Sequence, residues 1–121
     1  MKMPDDLDHA LFAQSVEHFN NGRYYEAHES WEDDWRHRAN RAEDWHFLKG
    51  LICLSVALHH HFNGNERGRM TLLRRALDSM DAVTYAETWV NLEELRDYAR
   101  RAFAEPDLMD SEVPRVAYSP P

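Results

Sequence analysis

The chain predicts an all-α fold of about five helices. Apolar residues recur at spacings of three and four through most of its length, and Asn/Gly turns at 20–22 and 63–65 separate the periodic stretches. The connections between successive helices are short, which sets neighbouring helices antiparallel in hairpins of a compact bundle.

In the first stretch, Leu7, Leu11, Phe12, Ser15, Val16 and Phe19 mark a helix over residues 6–20, with Asp5 or Asp6 after Pro4 as its cap. Asn20-Asn21-Gly22 ends it, because Asn and Gly tolerate positive φ. A second helix over 24–37 carries an unusually aromatic stripe of Tyr24, Ala27, His28, Trp31 and Trp35. The third, over 43–62, contains the run Leu51 to Leu58 and is apolar nearly all round, as a central helix is. A short buried strand competes for that run; its Leu/Ala content and the lack of flanking turn signals favour helix. Met70, Leu72, Leu73, Ala76, Leu77 and Met80 define a fourth helix over 66–80, and Leu92, Leu95, Tyr98, Ala99 and Phe103 a fifth over 89–104.

One helical domain over 1–105 is expected, followed over 106–121 by an extended or disordered tail broken by Pro106, Pro114, Pro120 and Pro121. The turn Phe19-Asn20-Asn21-Gly22 is echoed by Phe62-Asn63-Gly64-Asn65, and Gly22-Arg23-Tyr24-Tyr25-Glu26-Ala27 is similar to a tetratricopeptide turn. Two such hairpins are too few for a free solenoid, so a closed bundle is expected.

Charge excludes several classes of function. A net −8, with 22 acids against 14 basic residues, argues against nucleic acid, which needs a basic face, and against an anionic membrane surface. No run approaches the roughly 20 apolar residues of a membrane span. The opening Met1-Lys2-Met3-Pro4-Asp5-Asp6 lacks the basic-then-apolar order of a signal peptide. The lone Cys53 allows no internal disulfide and fits a reducing compartment, so a cytoplasmic location is expected. The basic residues are twelve Arg and two Lys. That bias beside an acid excess fits either a salt-adapted surface or a GC-rich genome.

The chemistry concentrates on the second helix. At ~100° per residue, His28 and Glu32 fall inside the arc of Tyr24, Ala27, Trp31 and Trp35, one turn apart and able to meet each other or a common partner. A buried carboxylate needs a partner, and three readings are open. Glu32 accepts a hydrogen bond from His28 or a Tyr or Trp donor and fixes helix packing. Alternatively, His28 and Glu32 are two of the ligands of a divalent metal ion. In the third, a desolvated Glu32 acts as acid or base beside His28 on a small substrate. On the third helix His46, Gly50, Cys53, Ala57 and His60 share a face with small residues in its middle. If that face meets the second helix, Cys53 and His60 are the weaker candidate donors. Trp31 and Trp35 would then wall a pocket. His59-His60-His61 is a poor chelating unit, since consecutive helical residues diverge by ~100°.

The stretch Phe19 to Trp35, then Phe47-Leu48-Lys49-Gly50-Leu51-Ile52, Ala57-Leu58-His59-His60 and Gly64-Asn65 together resemble domain of unknown function family 309. These are small helical prokaryotic proteins marked by H-x-x-x-E-x-x-(W/Y), here His28, Glu32 and Trp35. The resemblance covers about residues 10–80 and implies a helical fold, an unproven metal role for the histidine and glutamate, and no known reaction. Lys49 stands where Gln is expected, and Cys53 where Leu or Gln is common. An ammonium there would repel a cation and could neutralise Glu32.

The leading expectation is a metal-binding or small-ligand protein, with a hydrolase-like enzyme among its forms and the ligand unspecified. The alternative is a non-catalytic interaction module whose hairpins hold a peptide or another subunit, a homo-oligomer included. Exposed Tyr25 and Trp89 would favour it.

Overall fold

The computed structural model describes residues 3–4, 6–85 and 88–120 of the chain. Five helices, α1 (His9–Asn20), α2 (Tyr24–Trp35), α3 (Glu43–Phe62), α4 (Glu66–Asp81) and α5 (Leu92–Ala104), are followed by a 3-10 helix over Pro106–Asp110. Each helix packs on its neighbours in sequence, and α3 against α4 is the most extensive contact. The result is an all-α bundle. No helix among the described residues is long and apolar enough to cross a membrane.

The two turns expected from Asn and Gly close identically. Gly22 and Gly64 both lie at positive φ, 77° and 75°. The amide after each glycine returns to the helix just ended: Arg23 N–H to the His18 carbonyl and Asn65 N–H to the His60 carbonyl, both at 2.9 Å. These bonds satisfy carbonyls that a helix end otherwise leaves open.

The run 51–58 is helix, and α3 is the centre of the molecule, with Phe47, Leu48, Leu51, Leu54 and Leu58 buried. Gly50 faces α4, where an added Cβ would stand 2.8 Å from Met80 Cγ. The missing side chain lets the two helices approach.

Two helix starts differ from expectation. The cap of α1 is Asp8, whose side chain accepts the Leu11 N–H at 3.0 Å, and not Asp6; Asp5 lies outside the described residues. Asp34 at the far end of α2 accepts the Asp8 N–H at 3.1 Å, holding the preceding segment out of the helix. Likewise α5 begins at Leu92 because 89–91 are extended and pair with the tail: Val90 bridges Tyr118, and Ser119 N–H donates to the Trp89 carbonyl at 2.8 Å.

Beyond the 3-10 helix the tail runs extended and packed, pinned by two asparagines. Asn20 donates to the Val116 carbonyl at 3.0 Å and accepts the Val116 N–H at 2.7 Å. Asn91 makes the same pair of bonds to Arg115 O and Ala117 N. Each amide stands in for a strand partner, and Val116 is buried beneath them.

At the opposite corner Arg38 locks the α2–α3 connection. Its guanidinium bonds Asp34 at 2.6 Å, Asp6 at 2.9 Å and Asp44 at 3.3 Å.

Candidate functional site

His28 and Glu32 project from adjacent turns of α2, as their spacing requires, but they do not bond each other. The His28 Nδ1–H donates to the Tyr25 carbonyl of its own helix. That bond occupies Nδ1 and orients the ring on its own helix. Glu32 pairs with Arg36 at 3.2 Å and keeps 26% of its side chain exposed, so it is partly covered rather than in open water.

Cys53 is buried in α3. Burial pushes its thiol up to about 11, with Lys49 and Arg75 pulling the other way and Glu32 adding to the rise. A thiol held protonated is a poor metal ligand at neutral pH. The same influences show which charges surround Cys53: Glu32 from α2, Lys49 from α3 and Arg75 from α4.

The three consecutive histidines serve three different neighbours. His59 borders α2, its ring 5.1 Å from that of Tyr25, which in turn lies 4.6 Å from His28. His60 turns to α4: an added Cβ on Gly68 would meet its ring at 2.8 Å, and its Nδ1 lies 3.3 Å from the Asn65 amide. His61 reaches Asp110 at 2.7 Å. The histidine on the α2 side is therefore His59 and not the expected His60. His46 is similarly 3.4 Å from Ser79 of α4, so the face carrying His46, Gly50 and His60 packs on α4 and not on α2. Among the described residues no three His, Cys, Asp or Glu side chains are grouped to hold a metal ion.

The tryptophans also divide. Trp31 is no pocket wall: it is buried in the core, its ring 5.8 Å from Phe12 edge-on and 6.1 Å from Phe19. One turn further, Trp35 reaches the edge of the bundle, 5.3 Å from Trp45 of α3. The two indoles line a cavity of about 430 Å³ between α2, α3 and α4, with Lys49, Arg41, Arg75, Asp78 and Ser79 as its polar groups. The Lys49 ammonium stands 4.6 Å from the Trp35 ring centre, and the Arg41 guanidinium 5.1 Å from that of Trp45. Arg41 itself closes the α2–α3 connection at φ 65°, in the left-handed region. His46, at the rim through Ser79, is held below its usual pKa by burial and then by Arg41.

Of this cavity's lining, Trp35 and Lys49 stand out in the sequence, whereas Trp45, Arg41, Arg75, Asp78 and Ser79 do not. Trp45 and Lys49 are four apart on α3, a helical pair hidden by the helix's long apolar run.

With this geometry in view, the sequence profile of the family described as domain of unknown function (DUF309) matches residues 12–72, half of the chain. The chain therefore belongs to the DUF309 family, a class of helical domains without an assigned activity. No curated protein matches it.

Proposed function

We propose that this protein binds a small ligand in the cavity between α2, α3 and α4, with Trp35 and Trp45 as its walls and no reaction assigned. The observation that carries this reading is the cavity itself. Its volume of about 430 Å³ falls within the range of small-molecule sites, and two aromatic walls meet a small set of convergent polar groups there. Three helices contribute to it, so its shape is held by the fold. The divalent-metal form of the expectation has one supporting feature, the His28 imidazole oriented through Nδ1 by a backbone carbonyl. Among the described residues no third donor is grouped with His28 and Glu32.

A panel of small molecules read by thermal shift tests the proposal, with Trp35→Ala and Trp45→Ala beside the native protein and His28→Ala as control. Stabilisation lost in the two tryptophan variants and kept by His28→Ala is expected. Hits that ignore both indoles would refute the site. Metal analysis of protein purified without chelator addresses the ion: bound metal lost in His28→Ala and Glu32→Gln would restore the metal centre.

The interaction-module reading is favoured by one observation, the exposure of Tyr25 at 48% and of Phe62 at 54%. Both line a second cleft, of about 490 Å³, beside Gly22 and His59. Trp89, its other expected marker, is partly buried against His9.

A further inference from the structure

We infer that the ligand of the Trp35/Trp45 cavity is a small oxyanion, a carboxylate or phosphate, taken up by Lys49 and Arg75 with Arg41 at the rim. This rests on the cavity being a ligand site and adds the chemistry of its occupant.

The inference starts from the charge of the walls. In a chain carrying 22 acids and 14 basic residues, this cavity collects Arg41, Lys49 and Arg75 against one acid, Asp78. Elsewhere, among the described residues, five arginines form ion pairs, Arg36, Arg38, Arg96, Arg100 and Arg101, and five, Arg23, Arg67, Arg69, Arg74 and Arg115, do not, so what marks the cavity is the gathering of its cations in one place. Among the described residues, none of the three cavity cations forms an ion pair.

What holds two of them is aromatic. An indole face attracts a cation through its quadrupole but brings no formal charge, so Lys49 over Trp35 and Arg41 over Trp45 are positioned without being neutralised. A pre-positioned ammonium with its charge intact binds an oxyanion without first breaking an ion pair. Arg75 adds a fork of donors from α4, and the Ser79 hydroxyl a neutral one. Three cations against one acid disfavour a cationic guest and favour an anionic over a neutral one.

Asp78 opposes the anion and makes the inference testable in both directions. Chemical-shift titration of the labelled protein with benzoate, phenyl phosphate, inorganic phosphate, benzamide and benzyltrimethylammonium reads each probe at the cavity's own resonances. The two aromatic anions should bind at least about tenfold more tightly than benzamide, the cation not at all, and inorganic phosphate should show whether the aromatic part is needed. Lys49→Met and Arg75→Met should each weaken the anions about tenfold or more, Lys49→Arg should keep them, and Asp78→Asn should tighten them. Both methionine variants retain the length of the stem, and circular dichroism confirms their fold. Benzamide binding as well as benzoate, or an Asp78→Asn that binds more weakly, would overturn the anion while leaving the cavity as a site. Should no probe move any cavity resonance of the native protein, the site and its anion fall together.

Discussion

Replacing Arg38 with methionine removes the clamp at the α2–α3 corner while keeping most of its apolar stem. The Arg38 side chain is 7% exposed and that of its main partner Asp34 10%, so this is a buried pair. Without Arg38, the Asp34 carboxylate keeps, among the described residues, the Asp8 N–H at 3.1 Å as its one partner. Breaking one side of a buried pair costs about 3–5 kcal/mol. The lower end applies here, because Asp6 and Asp44 are open enough to rehydrate. For a domain of this size, about 3 kcal/mol lowers Tm by roughly 12 °C. The pair Arg100–Asp81, both side chains 57% exposed, supplies the control: Arg100→Met should cost less than about 1 kcal/mol. Thermal and urea unfolding of both variants measure the contrast, and Arg38→Met combined with Asp34→Leu should recover more than half of the loss. A loss for Arg38→Met no larger than that for Arg100→Met would refute the reasoning.

Gly50→Leu should cost about 3 kcal/mol by forcing α4 away from α3, since even a Cβ there stands 2.8 Å from Met80 Cγ; an unfolding midpoint equal to the native one would show that the interface yields freely. Cys53, buried and with its thiol pushed up to about 11, should resist thiol reagents at neutral pH and react at once on denaturation; rapid native labelling counts against its burial. Burial, with Glu43 and Asp44, pushes the Tyr85 hydroxyl from 10.0 up to about 12, and burial raises that of Tyr98 further. The folded state holds these protons more tightly than the unfolded chain, so stability should be level below pH 10 and decline as pH rises from there toward 12. Urea midpoints compared below and above that threshold check this, and a Tyr85→Phe/Tyr98→Phe protein should lose less; a flat profile across it would contradict the assignment.

The legibility of this fold follows where its information is local. Helix α3 runs over Glu43–Phe62 as periodicity and the Asn/Gly turn require, because those signals sit inside the segment. The starts of α1 and α5 moved because distant groups set them: Asp34 in one case, the tail in the other. The same limit shaped the site. Periodicity puts His28, Glu32 and Trp35 on one arc of α2, but α3 is apolar nearly all round, and its own pattern cannot say which face meets which neighbour. The face with Gly50 and His60 went to α4, and His60, one of the metal donors expected opposite His28, went with it. Trp31 and Trp35, alike in sequence, part company because one turn separates the core from the rim.

The asparagine-pinned tail has a consequence for biosynthesis. As the chain emerges from the ribosome, α1 can pair with α2 and α3 with α4 hairpin by hairpin, since those contacts are near in sequence. The bonds from Asn20 to Val116, and the Tyr118 ring lying 4.8 Å from Phe12, join positions almost a chain length apart. They close only after residue 118 has cleared the exit tunnel. Until then Phe12 waits with one side uncovered, and the nascent bundle depends on its surroundings to keep that surface from the wrong contact.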